Sequence, residues 1–136
     1  MTVSRPLTLF DVAQRAMSAQ LVRMNAASSN LANAGTVTGS EAEAYQPVRA
    51  VFAEQLDARS GLSTVNVSAV MRSSAAPIKQ HDPDHPLADA EGNVWTAPID
   101  ENAEMVEMLD ASRQYQNLVE ALSTAKQLML DTMRMK

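Results

Sequence analysis

The hydrophobic pattern divides the chain into three parts. From about residue 7 to 34, Phe10, Met17, Met24 and Leu31 recur every seven residues, and Ala13, Gln20, Ala27 and Ala34 repeat three positions later. A seven-residue period keeps one stripe of a helix turned toward a partner and imposes a left-handed supercoil. The spacing predicts a helix of about 42 Å. Its small second row admits a close neighbour, and Gly35 stands where a helix is commonly capped. From about 101 to 135, Met105, Met108, Ser112, Tyr115, Val119, Leu122, Lys126, Met129 and Met133 follow the alternating steps of a second seam. Ser112 and Lys126 interrupt it, Ala111, Leu118 and Ala125 widen it on one side, and Leu109, Leu128 and Leu130 lie off it. Asp100 is a candidate N-cap, followed by Glu101 and Glu104 in the first turn. Arg134 and Lys136 fall at the C-terminal end, where the helix dipole favours cations.

Between the helices the period changes. "GTVTGSEAEAY" is a polar loop, while "YQPVRAVFAEQL" and "STVNVSAVM" carry the alternating and β-branched residues of strands. "APIKQ" and "NVWTAP" are shorter strand candidates, joined by the turn-rich "HDPDHPLADAEG". The predicted fold is mainly α with a small β insertion. Long N- and C-terminal helices form a coiled-coil-like pair, with an antiparallel β unit between them. The corresponding divisions are 1–36, 37–98 and 99–136.

One helix pair can bury one seam against the other. It cannot also bury the widened flank and the off-seam leucines, so that surface needs further partners. Composition agrees with a small-residue helical core: 46% of residues are hydrophobic but only 4% aromatic. The nine methionines read as adaptable packing. Charge points to helix-to-helix contact, because residues 1–36 carry three arginines against Asp11, a net of +2. Residues 99–136 carry seven acids against Arg113, Lys126, Arg134 and Lys136, a net of −3.

The same composition closes off several functions. There is no cysteine, which excludes disulfides, thiolate catalysis and cysteine-based zinc sites. A net charge of −5 argues against nucleic acid, which demands a basic face. "MTVSRPLTLF" lacks a basic region followed by an apolar core, and Asp11, Arg15 and Arg23 interrupt any apolar run. Neither a cleaved signal peptide nor direct membrane insertion is expected. The one cluster suited to a metal is "HDPDHPLAD", with His81, Asp82, Asp84, His85 and Asp89. Pro83 and Pro86 forbid the helix that would set both histidines on one face, so a pinned turn is favoured over a metal site. No nucleophile arrangement or glycine-rich phosphate loop is present, and no catalytic residue or cofactor is expected.

One stretch remains odd. "NAASSNLANAG" sets Asn25, Asn30 and Asn33 among alanines at a helix end. Asn30 and Asn33 either satisfy backbone groups where the helix stops or bond across to an adjacent chain, fixing register as buried polar residues do.

"SSNLANAGTVTG" after an N-terminal heptad helix resembles the signature of the bacterial flagellar axial proteins, the family of rod, hook and related components. "Y-x-P-V-R-A-V-F" from Tyr45 to Phe52, "HPLADAEGNV" from His85 to Val94, and "EMVEMLDASRQYQ" with "VEALSTAKQLMLDTM" narrow the resemblance to a proximal-rod subunit. It spans nearly the whole chain. The resemblance implies paired terminal helices stacked into a tube with the β unit outside, in the basal body across the periplasmic space. It implies rod function in torque transmission and in forming part of the export channel. It also implies termini disordered before assembly, and export from the cytoplasm through the flagellar type III apparatus without a cleaved signal. The implied partners are other flagellar rod proteins, copies of itself, and the MS-ring and rod-base adaptor proteins. The expected assembly residues are Phe10, Met17, Met24, Asn30, Leu31, Asn33, Met105, Met108, Tyr115, Val119, Leu122 and Met129. Three rivals remain: another axial-family subunit, a metal-dependent enzyme using His81 and His85, and a plain coiled-coil adaptor.

Overall fold

The computed structural model describes residues 5–136; the four preceding residues of the predicted N-terminal division lie outside it. The first helix, α1, spans Leu9–Asn33. It starts at Thr8, whose hydroxyl accepts from Asp11 N–H at 3.2 Å while the Asp11 carboxylate accepts from Thr8 N–H at 2.9 Å. Two orphan amides are satisfied reciprocally, which fixes the start. Those Thr8 bonds, ahead of the charge of Arg5, hold the Asp11 carboxyl below the usual carboxylate range.

The predicted cap at Gly35 is not what ends this helix. Ala34 keeps a right-handed conformation and donates to the Leu31 carbonyl at 3.3 Å, and Thr36 N–H reaches Asn33 O at 3.2 Å. The last turn tightens, which satisfies terminal carbonyls without a left-handed residue. Among the described residues, positive φ is confined to Gly61 and Gly92.

The second helix, α2, spans Glu101–Arg134. Asp100 caps it, its carboxylate accepting from Asn102 and Ala103 N–H at 3.0 and 3.2 Å. The helices run antiparallel. Arg23, late in α1, meets Glu107 and Asp110, early in α2, whereas Leu9 and Val12 face Leu118 to Ala125. From that register α2 continues well past the start of α1. Leu128, Met129, Leu130 and Met133 on this extension are all exposed.

The β region forms two sheets where one unit was predicted. The first joins β1 (Val37–Thr38), β5 (Asn93–Thr96) and β4 (Ile78–His81), antiparallel, with β5 central. The second is a long hairpin of β2 (Val48–Asp57) and β3 (Leu62–Arg72), bulged between Val51 and Phe52. The hairpin turns at Gly61, whose φ of 70° suits glycine. It lies along α1, with Phe52, Thr64 and Val65 beside Val12 and Ala16. A lone hairpin is marginal in water, so this contact is what supports it.

The buried apolar core is mostly alanine: Ala19, Ala26 and Ala27 in α1, Ala111 in α2, and Ala44 and Ala97 in the connections, joined by Val94. Alanine lets backbones approach closely but buries little area. Many of the larger apolar side chains, among them Leu9, Val106, Leu109 and Leu128, are left at the surface.

Candidate assembly surfaces

The helix-to-helix contact is built from small residues and one arginine. Arg23 Nε donates to Glu107 at 2.8 Å and Nη2 to Asp110 at 3.0 Å, while its Nη1 reaches Gln20 on its own helix at 2.9 Å. These two acids raise the Arg23 pKa further above its already high value, Glu107 contributing most. At the other end, Leu9, Ala13 and Ala16 face Leu118, Leu122 and Ala125 across an apolar hollow of about 210 Å³. The alanine flank of α2 thus does part of the work expected of the seam.

The expected assembly residues divide by exposure. Phe10, Met17, Met24 and Leu31 on α1, with Met108, Tyr115 and Leu122 on α2, are half-buried at the margins of the pair. Met105, Val119 and Met129 are 50%, 44% and 51% exposed, so the chain's own fold leaves much of their surface in solvent.

Asn30 and Asn33 differ. Asn30 is fully buried, and its amide holds the first residue of the hairpin: Oδ1 accepts from Val48 N–H at 2.9 Å and Nδ2 donates to Val48 O at 3.0 Å. Tyr45 Oη also donates to Asn30 Oδ1 at 3.0 Å, and Ser29 Oγ lies 2.8 Å from that hydroxyl. Asn33 Nδ2 bonds the Ser29 carbonyl at 2.9 Å, within its own helix. One asparagine docks a strand; the other helps finish the helix.

A second polar joint was not legible in the sequence. Glu104, read as a first-turn acid, is 2% exposed and takes a two-pronged contact from Arg49 on β2, one prong at 2.9 Å. Glu104 raises the Arg49 pKa in return. No local pattern pairs residues 55 apart. The charge at position 49 within the apolar first half of β2, Val48 to Ala53, was the available signal.

The signature loops also converge. Thr38 pairs with Trp95 across β1 and β5, and a Cβ on Gly39 would stand 2.9 Å from the Leu87 carbonyl. The turn from Asp82 to Asn93 is bonded internally: His85 N–H to Asp82 O, Leu87 N–H to His85 Nδ1, and Asn93 N–H to Asp89. That last bond chiefly holds the Asp89 carboxyl below its ordinary range. Gly92 has a φ of 78°, and a Cβ there would stand 3.1 Å from His81 and Pro83. His81 faces Asn93 at 3.3 Å. Among the described residues, no three histidine or carboxylate side chains gather as a metal site would need, and no helix is long and apolar enough to cross a membrane.

These features have counterparts in known proteins. A family model described as flagella basal body rod protein matches residues 10–39, and one described as flagellar basal body rod FlgEFG protein C-terminal matches residues 90–135. Over 129 residues the chain is 43% identical to the flagellar basal-body rod protein FlgC of Salmonella typhimurium, covering 93% of this chain and 95% of that protein. The chain belongs to the FlgC family of flagellar basal-body rod proteins. The FlgC protein of Yersinia enterocolitica is 42% identical over the same share, and that of Agrobacterium fabrum 27% over 124 residues, covering 89% and 88%. This FlgC-family chain is a structural rod subunit of the flagellar basal body, assembling there with other rod components, and not an enzyme. That removes the metal-dependent enzyme and the plain adaptor. The two matched regions hold α1 with β1 and β5 with α2, leaving the hairpin and β4 outside both.

Proposed function

We propose that this chain is a proximal-rod subunit whose helix pair becomes fully buried only among copies of itself and other rod proteins. The observation that carries the reading is the exposed apolar surface of α2. Met105, Val106, Leu109, Val119, Leu128, Met129 and Met133 are each 44% to 69% exposed around a helix the chain covers on one side. Surface of that kind on a helix marks contact with another chain. The N-terminal row of Phe10, Met17, Met24 and Leu31 and the C-terminal row of Met105, Met108, Tyr115, Val119, Leu122 and Met129 form the assembly seams, closing in coiled-coil-like fashion. Neighbours repeated by a heterologous, non-closing contact would build an open rod. In this reading the rod transmits torque, lines part of the export channel, and stands in the periplasmic space against MS-ring and rod-base adaptor proteins. The chain arrives through the type III export apparatus without a cleaved signal.

The test is Val119→Asp combined with Met129→Asp. Both sites are solvent-facing in the single chain, so its circular dichroism should be unchanged. The variant should be exported yet leave cells non-motile and without rods. Cells that swim normally with this double variant would refute the seam assignment.

A further inference from the structure

The hairpin is fastened to α1 at its two ends. At the base, Asn30 grips Val48 through both backbone groups. At the tip, Asp57, the last residue of β2, reaches the chain just ahead of α1, accepting from Leu7 N–H at 3.0 Å. The same carboxylate accepts from Ser60 Oγ at 2.6 Å and from Ser60 and Arg59 N–H at 3.3 and 3.4 Å, so it also closes the turn. The lengths agree. The ten residues of β2 extend about 30 Å, and the helix from Thr8 to Asn30 rises about 33 Å. Toward the tip the packing is mixed, with Thr64 buried beside Val12 and Ala16. A groove of about 470 Å³, lined by Leu7, Asp11, Arg15, Ser18 and Val65 to Val67, opens along one side of the β3–α1 contact.

We infer that the β2–β3 hairpin is a splint for α1, pinned at Asn30–Val48 and latched at Leu7–Asp57, so that hairpin and helix order and move as one body. Beside the open groove, the latch ties the chain entering α1 to the hairpin tip. Asp57 is therefore a positioning residue: it closes the turn and, through that turn, holds the entry to the helix. The rod subunit then offers its neighbours a stiff α1–hairpin unit, while the end of α2 lacks any comparable support among the described residues. The inference draws on contacts within one chain and stands apart from the seam assignment above.

The chain has no cysteine, so introduced pairs report cleanly. Leu7→Cys with Arg59→Cys places thiols on two of the three residues whose amides share the Asp57 carboxylate, one on each side of the latch. Val51→Cys with Ala69→Cys, partners across the hairpin, serves as control. Both pairs are treated with a short bis-maleimide, in purified full chain and in isolated basal bodies. The Leu7–Arg59 pair should cross-link in basal bodies as readily as the control, and severalfold more slowly when Asp57→Ala is added, with the control unchanged. The splint is overturned if the control links in basal bodies and the Leu7–Arg59 pair does not, or if Asp57→Ala leaves the rate unaltered. Should Asp57→Ala prevent entry into basal bodies, the rate in purified chain decides by the same criterion. Failure of Val119→Asp with Met129→Asp to block motility would leave this cross-link intact, so the two readings fail separately.

Discussion

Asn30 binds Val48 as a neighbouring strand would, its side-chain oxygen taking the Val48 N–H at 2.9 Å and its nitrogen serving the Val48 carbonyl at 3.0 Å. A helix side chain thereby stands in for a sheet ladder at the first residue of β2. Asn30 is fully buried, and losing it removes the partner of the Val48 N–H and one of two donors to the Val48 carbonyl, which also accepts from Arg49 Nη1 at 3.3 Å. Asn30→Ala should cost about 2–4 kcal/mol in urea unfolding, since two backbone groups and the Tyr45 hydroxyl lose a partner. Asn30→Asp keeps an acceptor but loses the donor and buries a charge, so it should be no better than alanine. A loss below about 1 kcal/mol for both would show that water fills the joint.

The Arg49–Glu104 pair should respond unequally to its two truncations. The Arg49 side chain is 53% exposed and the Glu104 side chain 3%, so each leaves a different orphan. Glu104→Gln leaves a cation that solvent already reaches and an amide that can still accept, for a cost of about 1 kcal/mol. Arg49→Ala leaves a buried carboxylate without its partner, for a cost of about 3 kcal/mol. Calorimetric unfolding of both variants checks the order; equal losses would contradict the burial.

How far the sequence revealed this fold depended on the range of the interaction. Periodicity located both helices to within a few residues, because the helical stripe is a local property. Four of the β strands were found the same way, but the two-residue β1 (Val37–Thr38) lies in the stretch read as a polar loop, too short for any alternation to show. Gly35 misled, because a glycine after a helix is an opportunity for a left-handed cap and the chain used a tightened last turn instead. Alternative seams on α2 differ by one position, and spacing alone could not say that Ala111 would be buried while Met105 faced solvent. Asn30 was recognised as out of place, but its partner Val48 lies beyond any local pattern. Leu7–Asp57 and Arg49–Glu104 are equally non-local, and neither was anticipated.

Acid should loosen the hairpin tip at Asp57. Its carboxyl is lowered from 3.8 to about 2, first by the Ser60 hydroxyl and then by Leu7 N–H. A carboxylate with a depressed folded-state pKa stabilises the fold above its unfolded value and loses that contribution as pH falls. The latch should therefore be intact above about pH 4 and released on descent toward pH 2. Asp57→Asn should flatten this part of the pH–stability curve. An identical acid limb in both proteins would assign it to other carboxylates, such as Asp11 or Asp89, which are also held below their usual range.

The alanine interface makes opposite forecasts for one substitution at two places on α2. Ala111 is fully buried, and a leucine there must push neighbouring helices apart, at a cost of about 1–3 kcal/mol. Ala125 borders the hollow of about 210 Å³ opposite Leu9 and Ala13, where added methyl groups find room. Ala125→Leu should be neutral or stabilise by up to about 1 kcal/mol through added apolar burial. Both changes are alanine to leucine inside one helix, so helix propensity is nearly matched and the difference isolates packing. Thermal unfolding of the two variants side by side is the measurement. If both destabilise equally, the hollow closes in solution and the helices pack along their full overlap.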